Sequence, residues 1–125
     1  MAGRVQPVVL VVDDDEFQHK IVGKILEDRN CHLVLAGGGI DALKVLRKTH
    51  PDLILMDVMM PDMGGLEVLK YIKRAPQLAG IPIVMITGKS DRNVVMESLK
   101  AGAVDFVVKP FDRDTLLGKV SQWLA

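Results

Sequence analysis

The sequence predicts an α/β fold, a doubly wound parallel sheet of five strands in the order 2-1-3-4-5 with five helices. Three observations lead there. Short apolar runs rich in β-branched residues recur at roughly regular spacing. Longer segments with helical periodicity separate them. Glycine, proline and capping residues mark the junctions.

The first run, Val8–Val12, is continuously apolar and is cut off by Asp13. A run of this kind suits a strand buried on both faces. A helical stripe of Phe17, Ile21 and Ile25 follows, with Val22 and Leu26 beside it, and Asp15 is placed to start or cap that helix. The second run is Leu33–Ala36; Gly37-Gly38-Gly39 then leads into a helix marked by Ile40, Leu43 and Leu46. Pro51 separates that helix from the third run, Leu53–Met56, and Leu66, Leu69 and Ile72 mark the third helix. Ala75-Pro76 ends it, because proline disfavours a helical residue before it. Ile83–Ile86 is the fourth run, and Val95 and Leu99 lie on a helix that Ser90 or Asp91 can cap. Gly102 stands where a left-handed C-cap is expected. Val104–Val108 is the fifth run, and Asp112 caps a last helix carrying Leu116, Val120, Trp123 and Leu124. Strands alternating with helices imply a parallel sheet, and the right-handed crossover rule leaves few topologies.

With 125 residues, 49% of them hydrophobic, the chain is expected to form a single domain over 1–125. The sequence contains no apolar run long enough to span a bilayer and no signal-peptide pattern at residues 1–7, so a cytoplasmic protein without membrane contact is expected. Sixteen basic and sixteen acidic residues cancel without a basic block, which gives no electrostatic case for binding nucleic acid directly. One cysteine, Cys31, excludes an intrachain disulfide and reads as a small, partly buried residue.

In doubly wound folds ligands bind beyond the carboxyl ends of the strands, where the strand order reverses. The predicted strand ends carry Asp13-Asp14-Asp15, Asp57, Thr87 and Lys109, while the second ends in Gly37 and Gly38 at the sheet edge. Carboxylates this close raise one another's pKa and call for a compensating charge. Mg²⁺ fits, since it takes one or two carboxylates together with waters and phosphate oxygens. Carboxylates, a hard cation, a lysine and a hydroxyl form a phosphoryl-transfer site in which a carboxylate can itself be the nucleophile.

At these residues the chain resembles a response-regulator receiver domain, the type typified by the bacterial chemotaxis receiver, within the flavodoxin-like folds. The matching stretches are VLVVDDD (9–15), LILMDVMMPDMGGLEVL (53–69), IPIVMITG (81–88) and AGAVDFVVKPF (101–111). The resemblance implies a phosphoacceptor switch of a two-component or phosphorelay system. Asp57 would accept a phosphoryl group from a histidine kinase or histidine phosphotransfer protein. Asp13 and Asp14, one of them through water, would hold Mg²⁺ together with Asp57 and the backbone carbonyl of Met59. Lys109 would pair with the phosphoryl oxygens, Thr87 would move to hydrogen-bond them, and Phe106 would follow as the switch aromatic. The bond between Lys109 and Pro110 would be cis. Output would run through the surface of helix 4, strand 5 and helix 5. The chain would be no enzyme beyond catalysing its own phosphorylation and dephosphorylation.

Three rival readings fit the sequence less well. A haloacid-dehalogenase-type phosphatase needs a second aspartate two residues after the nucleophile, where Met59 stands. A flavin-binding protein needs a Ser/Thr/Gly phosphate loop after the first strand, where three acids stand. A degenerate receiver acting as a constitutive protein-binding module is opposed by the full set of site residues. His19, His32 and His50 lack the surroundings of a phosphodonor and do not cluster, so surface or capping roles are expected. Met59, Met60 and Met63 are expected to line the loop and limit water access. The pair Gly64-Gly65 is expected to loosen the start of the third helix. Gly88, where alanine is typical of the family, should make the following loop more mobile. Met59 and Lys89 flank the site where the family tunes phosphoryl lifetime, and an apolar Met59 implies a longer-lived phosphoryl group than in fast chemotaxis-type receivers.

Overall fold

The computed structural model describes residues 6–88 and 92–124. Strands and helices alternate: β1 (Val8–Val12), α1 (Glu16–Leu26), β2 (His32–Ala36), α2 (Gly39–Leu46), β3 (Leu53–Asp57), α3 (Gly65–Arg74), β4 (Ile83–Thr87), α4 (Arg92–Ala101), β5 (Asp105–Val108) and α5 (Arg113–Trp123). The sheet order is β2-β1-β3-β4-β5, with every neighbouring pair parallel. Fold class, strand number and strand order are those the sequence predicts.

Successive residues of a strand point to opposite faces, and here both faces are covered. Leu10, Val12, Ile54, Met56, Ile83 and Met85 pack with Ala42 and Leu46 of α2 and Val68, Leu69 and Ile72 of α3. Val9, Val11, Leu53, Leu55, Val84 and Ile86 pack on the other face with Val22 and Leu26 of α1 and Leu116 and Val120 of α5. Most of these strand residues are fully buried. At about 1.5–3 kcal/mol for each buried aliphatic side chain, the three central strands supply most of the driving force.

The predicted stripes hold in the body of the helices other than α4 and fail in the first turn of two. Val22 and Leu26 are buried, but Phe17 is 67% exposed; Ala42 and Leu46 are buried, but Ile40 is 50% exposed. Phe17 and Ile40 are each the second residue of their helix, ahead of the part that lies against the sheet. In α4, Val95 is buried as expected, while Leu99 is exposed and Ser98 takes the buried place beside it.

The helix ends follow local chemistry. Asp15 accepts a hydrogen bond from Phe17 N–H at 2.8 Å and caps α1; Asp112 accepts from Thr115 N–H at 2.7 Å and caps α5. The expected caps of α4, Ser90 and Asp91, lie outside the described residues. Gly38 precedes α2 and offers no side chain to cap it. Gly64 and Gly65 do not loosen α3: Glu67 reaches back to Gly64 N–H at 3.4 Å, and Gly65 is packed against the backbone of Asp57.

Gly102 has φ +115°, and the aliphatic stem of Lys73 crosses it on the way to the Ala79 carbonyl, which Lys73 Nζ meets at 2.9 Å. A Cβ at 102 would sit 2.9 Å from Lys73 Cε. Gly102→Ala is therefore expected to destabilise by roughly 1–2 kcal/mol, most of it from the left-handed backbone and the rest from displacing the lysine stem. Urea denaturation checks this, and a midpoint equal to that of the native chain would refute it.

Candidate functional site

The strand order reverses between β1, which has β2 on one side and β3 on the other, and the chain leaves β1 and β3 toward opposite faces. Asp13 and Asp14 follow β1, and Asp57 is the last residue of β3. Carboxylate oxygens of all three lie within 4.8 Å of one another, with Asp13 and Asp57 buried and Asp14 exposed. Lys109, just past β5, reaches over the end of β4 into this crevice. Its Nζ lies 3.1 Å from Asp57 Oδ1 and 3.4 Å from Asp13 Oδ2.

Backbone bonds set each of these groups. Asp13 N–H donates to Ala36 O at 3.1 Å, which carries the β1–β2 ladder one residue into the acidic segment. Asp13 Oδ1 then accepts from Asp15 N–H at 2.9 Å, leaving Oδ2 toward Lys109. Asp57 lies opposite Ile86, and Thr87 opposite Val108, as full members of the ladder. Lys109 N–H donates to Thr87 O at 2.7 Å, and the Lys109–Pro110 bond is cis, as expected from the sequence. Thr87 is 1% exposed and its hydroxyl donates to Gly88 O at 3.3 Å. Phe106 lies opposite Met85, on the face covered by α2 and α3, half-buried against that core cluster. Met60 belongs to this same core, Met63 packs partly against it, and Met59 stands 68% exposed, so the three do not act together as a water shield.

The electrostatics are those of a site short of positive charge. Burial, then the neighbouring Asp13, push the Asp57 carboxyl from 3.8 up to about 6. Lys109 pulls it down by hydrogen bond and charge, and Asp14 adds a smaller upward push. Burial disfavours the Lys109 ammonium, but Asp57 and Asp13 outweigh that and raise its pKa. Three carboxylates against one ammonium leave an excess of negative charge in the crevice. The donor set fits Mg²⁺: three carboxylates offer hard oxygens, and the exposed Asp14 leaves a side where waters can remain.

A profile of the response regulator receiver domain family matches residues 9–121. The chain belongs to that family. It is 37% identical over 117 residues to the CAI-1 autoinducer sensor kinase/phosphatase CqsS of Vibrio cholerae, an alignment covering 93% of this chain and 17% of that protein. It is 37% identical over 112 residues to the DNA-binding response regulator MtrA of Mycolicibacterium smegmatis, covering 90% of this chain and 48% of that protein. The chain thus spans about half, or less, of the length of these relatives. Among solved structures, the chemotaxis response regulator CheY4 of Vibrio cholerae matches with a TM-score of 0.88 and 32% identity, covering 96% of this chain and 100% of that chain.

The receiver fold brings Asp13, Asp14, Asp57 and Lys109 into direct contact range, with Thr87 at the neighbouring strand end and Phe106 one step further along the sheet. Lys89 lies outside the described residues. Among the described histidines, His50 Nε2 meets Gln77 O at 3.1 Å and His32 is exposed. His19 is half-buried on α1, its Nε2 without a hydrogen-bond partner. No described helix is long and apolar enough to cross a membrane. One structurally engaged acid escaped the sequence reading: Asp62, which binds the start of α2 from the loop after β3. Its sequence signal is indirect, a helix opening on glycines with no capping side chain of its own.

Proposed function

We propose that this receiver domain is a phosphoacceptor switch, taking a phosphoryl group from phosphohistidine onto Asp57 in a Mg²⁺-dependent step. The observation that carries this is Lys109 bridging Asp57 and Asp13 inside a three-carboxylate cluster at the point where the strand order reverses. A histidine kinase or a histidine phosphotransfer protein is the donor. Above pH 6 the Asp57 carboxylate is charged and able to attack. Its oxygen forms the new bond to phosphorus in line with the breaking P–N bond, and the bonding pair leaves with the imidazole. Asp13 and Asp14, one of them through water, would hold the metal together with Asp57 and the Met59 carbonyl, and the metal would supply charge neutralisation at the phosphoryl oxygens. Lys109, already aimed at Asp57 Oδ1, turns its charge to an incoming phosphoryl oxygen.

Thr87 then shifts toward the phosphoryl group, and Phe106, on the neighbouring strand, moves into the space released. The surface of α4, β5 and α5 changes with them, and a protein partner reads it. The unmodified domain already samples this state, and phosphorylation shifts the population. Going from 1:99 to 99:1 requires about 5.5 kcal/mol of preference. The domain works in the cytoplasm and catalyses only its own phosphorylation and dephosphorylation.

Intact mass after incubation with acetyl phosphate tests the reading. A base-labile gain of one phosphoryl group that needs Mg²⁺ supports it. If acetyl phosphate gives no gain and neither Mg²⁺ nor beryllofluoride binds, the switch is refuted in favour of a constitutive binding module.

Lifetime is set beside the acceptor. Met59 is exposed but apolar, so it offers attacking water no hydrogen bond. Met59→Asn is expected to speed loss of the phosphoryl group several-fold, on the scale of one positioned polar contact. Phosphate release after donor removal measures it, and an unchanged rate would rule out the long-lived state.

A further inference from the structure

The loop between β3 and α3 carries Met59, whose carbonyl belongs to the proposed ligand set. Its two ends are pinned by the backbone: Val58 N–H donates to Ile86 O at 2.9 Å, and Gly65 N–H to Val58 O at 2.9 Å. Its middle is pinned by Asp62, which reaches across to a different element. Asp62 Oδ1 accepts from Gly39 N–H at 3.2 Å and Oδ2 from Ile40 N–H at 3.1 Å, while Oδ1 also accepts from Met63 N–H at 2.8 Å. The first amides of a helix lack intrahelical partners and favour negative charge. Since Gly38 cannot cap α2, a carboxylate from the loop does so.

The seam is closely fitted as well as hydrogen-bonded. A Cβ on Gly39 would lie 2.6 Å from Met63 O and 2.8 Å from Val68 Cγ2, and one on Gly38 would lie 2.9 Å from the Asp62 carboxylate. Hydrogen bonds to backbone amides, that of Ile40 foremost, hold the Asp62 carboxyl below the usual carboxylate range. An exposed aspartate with only a solvating role would show neither the fit nor the bonds.

We propose that Asp62 is a positioning residue for the metal site: by docking the middle of the loop on the N-terminus of α2, it holds the Met59 carbonyl beside the Asp13–Asp14–Asp57 cluster. This rests on the metal-dependent reading of the site given above. Asp62 touches neither the metal nor the reacting atoms; it acts through the backbone of Met59. Groups that orient metal ligands in this way typically cost 10–100-fold in affinity when removed.

Isothermal titration with Mg²⁺ tests this on the native chain and on Asp62→Ala, Asp62→Asn and Asp41→Ala. Asp41 is the control, since its carboxylate accepts from Gly37 N–H at 3.0 Å in the same helix turn, within segment 37–41. Asp62→Ala is expected to weaken Mg²⁺ binding roughly tenfold and to speed amide hydrogen exchange across residues 59–63 in EDTA. Asp62→Asn, which keeps one acceptor oxygen, is expected to lose less, and Asp41→Ala nothing. Should Asp62→Ala fail to fold, Asp62→Asn against Asp41→Ala carries the comparison. Native affinity in the Asp62 variants, or an equal loss in Asp41→Ala, overturns the inference while leaving the metal site intact. Failure of the native chain to bind Mg²⁺ overturns the reading of the site, and this inference with it.

Discussion

Replacing Asp57 with asparagine is expected to abolish Mg²⁺-dependent phosphoryl uptake and, at the same time, to stabilise the metal-free chain at pH 7. The first effect follows from losing the nucleophilic oxygen. The second follows from linkage. Burial and Asp13 raise the folded-state pKa of Asp57 from 3.8 to about 6, with Lys109 already counted against them. Between those values the folded chain holds a proton that the unfolded chain has lost. The associated stability is therefore complete below about pH 4 and is lost as the pH rises through 6. At neutral pH a charged Asp57 is a net cost. Taken whole, the shift corresponds to about 3 kcal/mol; water reaching the open crevice reduces it to roughly 1–2 kcal/mol. Urea denaturation in EDTA should show Asp57→Asn more stable at pH 7 by that amount, with the gain shrinking toward pH 4. A variant less stable at pH 7, or a gain that does not change with pH, would contradict this account.

The second large effect is expected at Gly65. A Cβ there would run into the Asp57 carbonyl oxygen and come within 3.1 Å of Met56 Cγ. Backbone cannot swing aside as a long side chain can, so α3 and the end of β3 must separate. Gly65→Ala is expected to cost about 3 kcal/mol, a large share of the 5–15 kcal/mol typical of a domain. It should also displace Asp57 and lower phosphoryl uptake in whatever fraction remains folded. The neighbouring Gly64→Ala is the comparison. Its Cβ would meet Glu67 Oε1 and Val58 O at 3.7 Å, ordinary contact distance, and its φ of −65° suits any residue. It should fall within about 0.5 kcal/mol of the native chain, on the favourable side if anything. Equal losses at both positions would refute the close-approach argument.

These two glycines show what the sequence could and could not reveal. Side by side in the chain, they read alike, as sources of backbone freedom. Only the fold distinguishes the one pressed against a carbonyl from the one with room for a Cβ at ordinary contact distance. The strands were legible because burial on both faces makes them continuously apolar, and their order followed from alternation and crossover handedness. The apolar runs nevertheless stop one residue short at β3 and β4, since the last ladder positions are Asp57 and Thr87. The polarity that marks them for chemistry hides their strand character. Phe17 and Ile40 keep helical spacing with the core residues but stand in the first turn, so periodicity alone counted them as buried. Asp62 was harder still. Its partners Gly39 and Ile40 lie more than twenty residues away in the chain, and an uncapped helix indicates that an acceptor is needed without indicating which.

At the far edge of the sheet, Asp105 accepts from Lys119 Nζ at 2.8 Å and from Trp123 Nε1 at 3.1 Å, beside the aromatic at 106. Trp123 is the only tryptophan in the chain. The protein therefore carries its own fluorophore at the junction of β5 and α5, away from the acidic crevice. Its indole emission reports the polarity and hydrogen bonding of that junction without any label.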